Sequence, residues 1–250
     1  NVGYSEENDY RAIYGGFNGE RHFNNELTTL ALGFSYSSDE IFPTDATLFN
    51  RVSDESKHSS SVFFSISQVI NQFSSFQSAL SITEQSGFLS DPYKLRDSRP
   101  DDKTQFALSN SYRRFLVEAD ASLHINYRYY HDDFGISSHT ADLSWHQNLG
   151  RRFRAIPSIR YYSQSSADFF TNIDDFLKPL TEYQSSDYRL SAFGAISGGI
   201  SFVADMGNWK ATLTAERYLA NEDYSVHSVN QSSTALVKYT RLSLGIDFTF

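Results

Sequence analysis

Four residues near the middle of the chain have the types and spacing to do chemistry: His131, Asp132, Asp133 and His139. Two imidazoles and two carboxylates in so short a segment could ligate a divalent metal ion. Acidic and histidine side chains could also activate a water molecule for hydrolysis. An ordinary hairpin turn explains the same residues, because aspartate often starts such turns and Gly135 supplies a permissive backbone. The sequence alone leaves all three interpretations open.

The elements that would position these residues are β-strands, because apolar residues recur along the chain with a period of two. The C-terminus shows this pattern clearly, with Leu242, Leu244, Ile246, Phe248 and Phe250 on one face and polar residues between them. Such alternation is typical of strands with one apolar and one polar face. It predicts strands over residues 10–23, 27–38, 59–71, 75–86, 104–116, 119–131, 138–148, 153–164, 186–204, 209–219 and 236–250, and the end of another over residues 1–5.

The connections between these strands alternate between short and long. Links such as 72–74 and 117–118 are short, whereas 87–103 and 165–185 are long. Outer-membrane barrels have tight periplasmic turns and long outer loops, and strands of ten or more residues suit a bilayer crossing. A final aromatic residue, here Phe250, is also typical of them. We therefore expect an all-β protein, an antiparallel up-and-down transmembrane β-barrel in contact with the lipids of a bacterial outer membrane.

The composition excludes several other classes of protein. The 250 residues carry a formal net charge of −9 and include no cysteine. Disulfides and cysteine-based metal sites are therefore excluded, and the acidic balance argues against binding nucleic acid. Segment 58–83 is the best candidate for a membrane-spanning helix, but its nine serines are incompatible with one. No motif implies a cofactor, and we expect none.

The predicted strands number about twelve, eleven of full length and the short segment 1–5. Bacterial barrels usually contain an even number of strands, and residues 1–5 are too few to span a bilayer. We therefore expect one β-barrel domain over residues 1–250 that lacks N-terminal strands. It would be the C-terminal part of a larger barrel.

Alternation also predicts which polar side chains point into the barrel lumen. The predicted network consists of Asp120, His124, Arg128, Asp142, His146, Arg160, Glu216 and Arg241. Opposite charges on neighbouring strands would pair, because buried polar groups need partners. Such a network could fill and rigidify a narrow barrel, or it could line a water-filled pore.

The segment 87–103 is a charged loop that also contains aromatic residues. Its residues of interest are Phe88, Asp91, Pro92 and Tyr93. The loop could be solvated at the outer surface. Alternatively, it could fold back into the barrel mouth with Phe88 and Tyr93 as anchors. Aromatic residues in other long loops, such as Phe49 and Phe176, would suit a protein partner at the outer face.

Several motifs occur in order along the chain, among them GFLSDPY at 87–93, NYRYYHDDFGISSH at 126–139 and RYYSQSSADFF at 160–170. Through them the chain resembles a family of Gram-negative outer-membrane proteins known only as a domain of unknown function. The resemblance implies a β-barrel whose members are longer at the N-terminus. Genes of this family often accompany those of small lipoproteins and of redox-related or flavin-transfer proteins, so the resemblance points to a part in cell-envelope electron transfer. It implies little about activity.

These observations favour a non-enzymatic function. The barrel would act as a scaffold or conduit for an envelope complex, with a protein or lipoprotein partner at its lumen or outer loops. One alternative is a passive pore for small solutes. Another is an outer-rim hydrolase or metal site formed by His131, Asp132, Asp133 and His139.

Overall fold

The computed structural model describes residues 1–94, 96–179, 181–229 and 235–249. The fold consists almost entirely of antiparallel strands. Their bounds are β1 Val2–Glu6, β2 Tyr10–Phe23, β3 Thr28–Ile41, β4 Glu55–Asn71, β5 Ser74–Gly87, β6 Asp97–Ser98, β7 Asp102–Leu116, β8 Ala121–Asp132, β9 Ser137–Leu149, β10 Phe153–Gln164, β11 Gln184–Ser185, β12 Phe193–Asp205, β13 Trp209–Asn221 and β14 Lys238–Phe248. One short α-helix, α1 (Ala46–Phe49), lies between β3 and β4. No helix within these described ranges is long and apolar enough to cross a membrane.

Twelve of the strands form one sheet in chain order, and only β6 and β11 lie outside it. Every neighbouring pair is antiparallel, so the sheet runs up and down as predicted. Ten of the predicted strands agree with the observed bounds to within a few residues. The eleventh, 186–204, is wrong at its start, because β12 begins at Phe193 and a short 3₁₀-helix (Tyr188–Leu190) precedes it.

The register gives the sheet one apolar and one polar face. Across β13 and β14, Leu213 lies opposite Leu244 on the face we call apolar. On the other face, which we call polar, Thr214 lies opposite Ser243. The same parity continues through the sheet, since paired residues of adjacent strands share a face. The apolar face presents large hydrophobic side chains outward, as a wall in contact with lipid requires.

The two edges of the sheet are β1 and β14. Within the described part of the chain they do not pair with each other. The side chains of β14 are exposed along its whole length. Phe250, which supported the barrel interpretation, lies outside the described residues.

Pro157 interrupts the pairing between β9 and β10. The register runs from Ala155 opposite Gln147 to Ser158 opposite Ser144, and no pairing is made by the two positions between them. Proline has no N–H to donate, so a gap in the ladder is expected there. Pro157 still pairs with β12, opposite Ile200, and the strand continues without a change of register.

The connections at the two ends of the sheet differ in length. One end, the short-turn end, carries the turns 24–27, 72–73, 117–120, 150–152 and 206–208. The opposite end, the long-loop end, carries two long loops that we call the loop cap, residues 88–101 and 165–192. Strands β6 and β11 pair within the loop cap, where Asp97 lies opposite Ser185. The main hydrophobic core is also here, formed by Phe134, Ile136, Ala167, Phe170 and Leu190.

A further loop at the long-loop end folds over the apolar face. The hydroxyl of Tyr161 donates to the carbonyl of Tyr224 at 2.6 Å, and the N–H of Val226 donates to Ser163 Oγ at 2.9 Å. Gly194 makes this packing possible. A Cβ at Gly194 would overlap the backbone of Tyr224 and Ser225.

The variant Gly194→Ala should therefore displace the loop 222–229 and lower the stability of the barrel. The clash is with backbone, which has little freedom to move away. We expect faster proteolysis within residues 222–229 and a lower thermal midpoint. Gly198→Ala is the matched control in β12, because its Cβ would lie 4.0 Å from the carbonyl oxygen of Ser158. Equal behaviour of the two variants would contradict the proposed packing.

Candidate functional site

The hairpin between β8 and β9 holds the four residues predicted to do chemistry, but it separates their side chains. His131 Nδ1 lies 2.9 Å from Ser137 Oγ and is exposed. Asp132 is buried on the polar face. Asp133 Oδ2 accepts the N–H of Thr104 at 2.9 Å. The four residues therefore do not share one pocket.

His139 lies on the apolar face, away from both aspartates. Its Nδ1 is 2.7 Å from the hydroxyl of Tyr127, and its ring stacks on His227 at 5.7 Å between centroids. Among the described residues, no group of three or more His, Asp or Glu side chains is placed to hold a metal ion. The predicted metal site does not form in this arrangement, because neighbouring positions of a strand point to opposite faces.

Asp132 instead has a structural role. Its carboxylate accepts from Lys103 Nζ at 2.9 Å, from the Tyr130 hydroxyl at 2.6 Å and from the N–H of Ile136 at 3.0 Å. The Lys103 ammonium also lies 4.6 Å from the ring centroid of Phe134. This buried ion pair joins β7 to the β8–β9 hairpin beneath the hydrophobic core.

Two of the predicted ion pairs form on the polar face. Arg160 Nε lies 3.6 Å from Asp142 Oδ1, and Arg241 Nη2 lies 2.8 Å from Glu216 Oε2. Each pair joins directly opposed residues of neighbouring strands. The arginine side chains are 58% and 60% exposed, so the pairs line the face and leave it open to water.

The other four members of the predicted network have different partners. The rings of His124 and His146 stack at 3.9 Å between centroids. The Arg128 guanidinium lies 5.4 Å from the Tyr130 ring centroid. Asp120 lies in the turn before β8, and it accepts from Nδ2 of Asn148, a polar-face residue of β9, at 2.9 Å.

The predicted loop residues lie in the first part of the loop cap. The Asp91 carboxylate accepts the N–H of Tyr93 at 2.9 Å across the turn that contains Pro92. The Tyr93 hydroxyl donates to Asp9, and the Arg51 guanidinium lies 4.8 Å from the Tyr93 ring centroid. Tyr93 therefore fastens the cap to neighbouring loops of the same rim. Phe88 N–H donates to the carbonyl of Ser56 at 2.8 Å and extends the end of β4.

Buried charges connect the two halves of the loop cap. Arg99 donates to Asp97 at 2.7 and 3.0 Å and to Asp187 at 3.1 Å. Asp97 also accepts from the hydroxyl of Ser185. Both carboxylates are buried, and Arg99 is nearly so. One guanidinium thus holds together segments that are 88 residues apart in sequence.

Asp187 is the most strongly held of these groups. Burial acts to raise its pKa, but side-chain and backbone hydrogen bonds from Arg189 and the charges of Arg189 and Arg99 outweigh it and lower the pKa to about 2. The N–H of Arg189 donates to Asp187 at 3.0 Å, and its guanidinium donates at 2.6 Å. Asp187 therefore remains ionised at any physiological pH.

Sequence reasoning did not identify the residues that hold the loops in place through buried ion pairs, namely Asp97, Arg99, Asp187 and Lys103. The charges of the 87–103 loop were visible, but their partners lie far away in the chain. Strands β6 and β11 contain two residues each, too few to show alternation. No local signal identifies such a contact.

The family of the chain is shown by a match over most of its length. The family described as "Protein of unknown function (DUF3570)" matches residues 1–236. The chain belongs to the DUF3570 family. None of the curated proteins matches it in sequence. Membership confirms the resemblance to a Gram-negative outer-membrane family of unknown function.

Solved structures with similar folds are outer-membrane β-barrel proteins of Gram-negative bacteria. A siderophore receptor, PirA, from Pseudomonas aeruginosa is 14% identical with a TM-score of 0.58, and the match covers 84% of this chain and 40% of the receptor. A mutant ferric enterobactin receptor, PfeA, from Pseudomonas aeruginosa is 11% identical with a TM-score of 0.59, over 94% and 41% of the two chains. The DUF3570 chain thus spans about 40% of the length of these receptors. The predicted fold class is confirmed.

Replacing Lys103 with methionine should destabilise the protein by about 3 kcal/mol, because Asp132 would keep its charge in a buried position without its cation. The measurement is urea unfolding of the purified protein in detergent. The double variant Lys103→Met with Asp132→Asn should recover part of the loss, since no buried charge then remains unpaired. A single variant as stable as the wild type would show that this pair contributes little.

Acid should loosen the loop cap at Asp187. A lowered folded-state pKa contributes stability that is present above the ordinary value of 3.8 and is lost as the pH falls through about 2. We expect amide exchange at Ser185–Ser191, corrected for its intrinsic pH dependence, to be slow down to about pH 4 and to accelerate towards pH 2. The variant Asp187→Asn should exchange faster at neutral pH and lack this transition. The transition would be assigned elsewhere if the variant retained it.

Proposed function

We propose that this DUF3570 chain forms wall strands of a non-enzymatic conduit in the bacterial outer membrane, and that the loop cap restricts one mouth of the conduit. The observation that carries the proposal is the position of the cap over the polar face. Gln164, a polar-face residue at the end of β10, donates to the carbonyls of Arg189 at 2.9 Å and Ser191 at 2.6 Å. The cap therefore turns toward the side that would line the lumen.

The state of the polar face supports a conduit over a filled scaffold. A filled barrel would bury its polar network, because polar groups packed against each other exclude water. The arginines of both polar-face ion pairs are instead more than half exposed. In this arrangement, charged side chains line a wet surface along which a partner or solute could pass.

The orientation of the proposed conduit follows from loop length. Long loops of outer-membrane barrels face the exterior and short turns face the periplasm. The loop cap would then lie at the outer mouth, with lipid against the apolar face. Ile173 and Leu177 at the tip of the cap are 80% and 95% exposed, which suits contact with an envelope protein or lipoprotein.

A passive pore for small solutes is the second candidate, favoured by the same open polar face. It differs from a restricted conduit in needing no closure by the cap. A hydrolase at the outer rim gains no support from the hairpin geometry, because Asp132 is committed to Lys103 and His139 lies on the opposite face.

Conductance in planar bilayers tests the proposal. The variant Arg99→Gln removes the cation that joins Asp97 to Asp187, so the cap should loosen and single-channel conductance should rise several-fold. Arg217→Gln is the control, because Arg217 lies on the apolar face of β13, outside the cap, and donates to Thr240 Oγ1 of β14 at 2.8 Å.

Each outcome separates the candidates. High conductance of the wild type, unchanged in Arg99→Gln, would favour the passive pore and reject the restricting role of the cap. Folded protein that never conducts, with or without Arg99, would reject both the conduit and the pore. Equal increases in Arg99→Gln and Arg217→Gln would show that the cap pairs do not control the mouth.

A further inference from the structure

Basic side chains are concentrated on the polar face at the short-turn end of the sheet. Arg113 on β7, His124 on β8, His146 on β9 and Arg154 on β10 follow a diagonal across four neighbouring strands. Arg113 lies directly opposite His124. Arg154 lies opposite Asn148, which is two residues from His146 on the same face of β9. Four basic side chains are thereby gathered at one place.

The two imidazoles are held in a defined orientation. Their centroids are 3.9 Å apart and their planes are inclined by 27°. His124 Nε2 lies 3.2 Å from Ser122 Oγ, and His146 Nε2 lies 3.1 Å from Ser144 Oγ. Across the described ranges, neither Nδ1 has a hydrogen-bond partner. One nitrogen of each ring is fixed and the other is available to a ligand.

The two arginines have neutral partners. Arg113 Nη2 donates to Asn126 Oδ1 at 2.8 Å, and its Nη1 donates to backbone carbonyls. Arg154 Nε donates to Asn148 Oδ1 at 3.2 Å. Neither forms an ion pair with any described residue, whereas Arg160 and Arg241 on the same face do.

The acidic groups around this cluster are already engaged or lie at its margin. Asp142 pairs with Arg160, and Asp120 is held by the Asn148 amide. Glu118 lies in the turn between β7 and β8, outside the strands. The Asn148 amide is neutral, so Asp120 keeps its negative charge and offsets part of the positive charge of Arg113 and Arg154 without forming an ion pair with either.

A cavity of about 180 Å³ runs along Arg113. Its other polar lining includes the hydroxyls of Ser75 and Ser111 and the amide of Gln77, all on the polar face. Glu26, from the turn between β2 and β3, lies at its margin and forms no ion pair within the described chain. Of the four basic residues, Arg113 alone borders this cavity, so the cavity lies beside the cluster and is not itself the place of the ligand.

We propose that Arg113, His124, His146 and Arg154 form a binding site for a phosphate-type oxyanion at the short-turn end of the polar face. A guanidinium donates two parallel hydrogen bonds to such an anion, and hydroxyl and imidazole donors complete its coordination. A proton on one imidazole would place positive charge against the other ring, and a bound anion offsets that repulsion. Two arginines beside the rings disfavour a metal cation at the same place.

Histidine-ring NMR of the purified protein in detergent tests the site, with inorganic phosphate as the probe. At constant pH and ionic strength, phosphate should shift the ring signals of His124 and His146 in a saturable way, and chloride should not. The signals are assigned from the variants His124→Asn and His146→Asn. A parallel titration with glycerol phosphate shows whether free phosphate or a phosphate ester binds more tightly.

The double variant Arg113→Gln with Arg154→Gln should raise the apparent Kd for phosphate at least about tenfold, because charge-assisted hydrogen bonds are lost. Arg241→Gln is the matched control on the same face, because Arg241 and its partner Glu216 lie on β14 and β13, away from the cluster, and it should leave the Kd within about twofold. Equal weakening by both variants, or shifts no larger than those caused by chloride, would overturn the site. Binding in detergent is measured without conduction, so this result is independent of the proposed conduit.

Discussion

The structure depends on one constraint, the pairing of backbone N–H and C=O groups between neighbouring strands in an antiparallel ladder. Inside a bilayer no water is available to replace a missing partner, so a strand must be paired along its length. The ladder then fixes which side chains share a face, because paired residues point the same way and successive residues alternate. The apolar face, the polar face and the separation of charges between them all follow from this register.

The same constraint explains how much of the fold could be read from the sequence. Strands β2 and β10 have the predicted bounds, since alternation over twelve or more residues leaves little freedom in register. The start of β12 was placed too early because Tyr188, Leu190 and Ala192 also alternate. Leu190 is buried in the core of the loop cap, not on the wall. Alternation of apolar and polar residues shows that one side of a segment is buried, but it does not show what covers that side.

The candidate chemistry of the β8–β9 hairpin shows where short spacing misleads. His131 and Asp132 are adjacent in sequence and therefore point to opposite faces of β8. His139 is opposite Tyr129, which places it on the apolar face with His131. Parity alone could have divided these residues between the faces. The Arg99–Asp187 contact could not have been predicted in this way, because it depends on how two long loops meet.

The charged pairs of the chain fall into two energetic classes. Exposed pairs such as Arg160–Asp142 contribute at most about 1 kcal/mol, because water screens them and flexible side chains lose entropy in forming them. Asp97, Asp132 and Asp187 are buried, and each is held by a cation and by further hydrogen bonds. Removing a partner from these would leave an uncompensated buried charge. The ordering of the loops therefore rests on buried pairs at one end of the sheet. The exposed charges of the polar face have little structural role and are accessible to a partner or solute at that face.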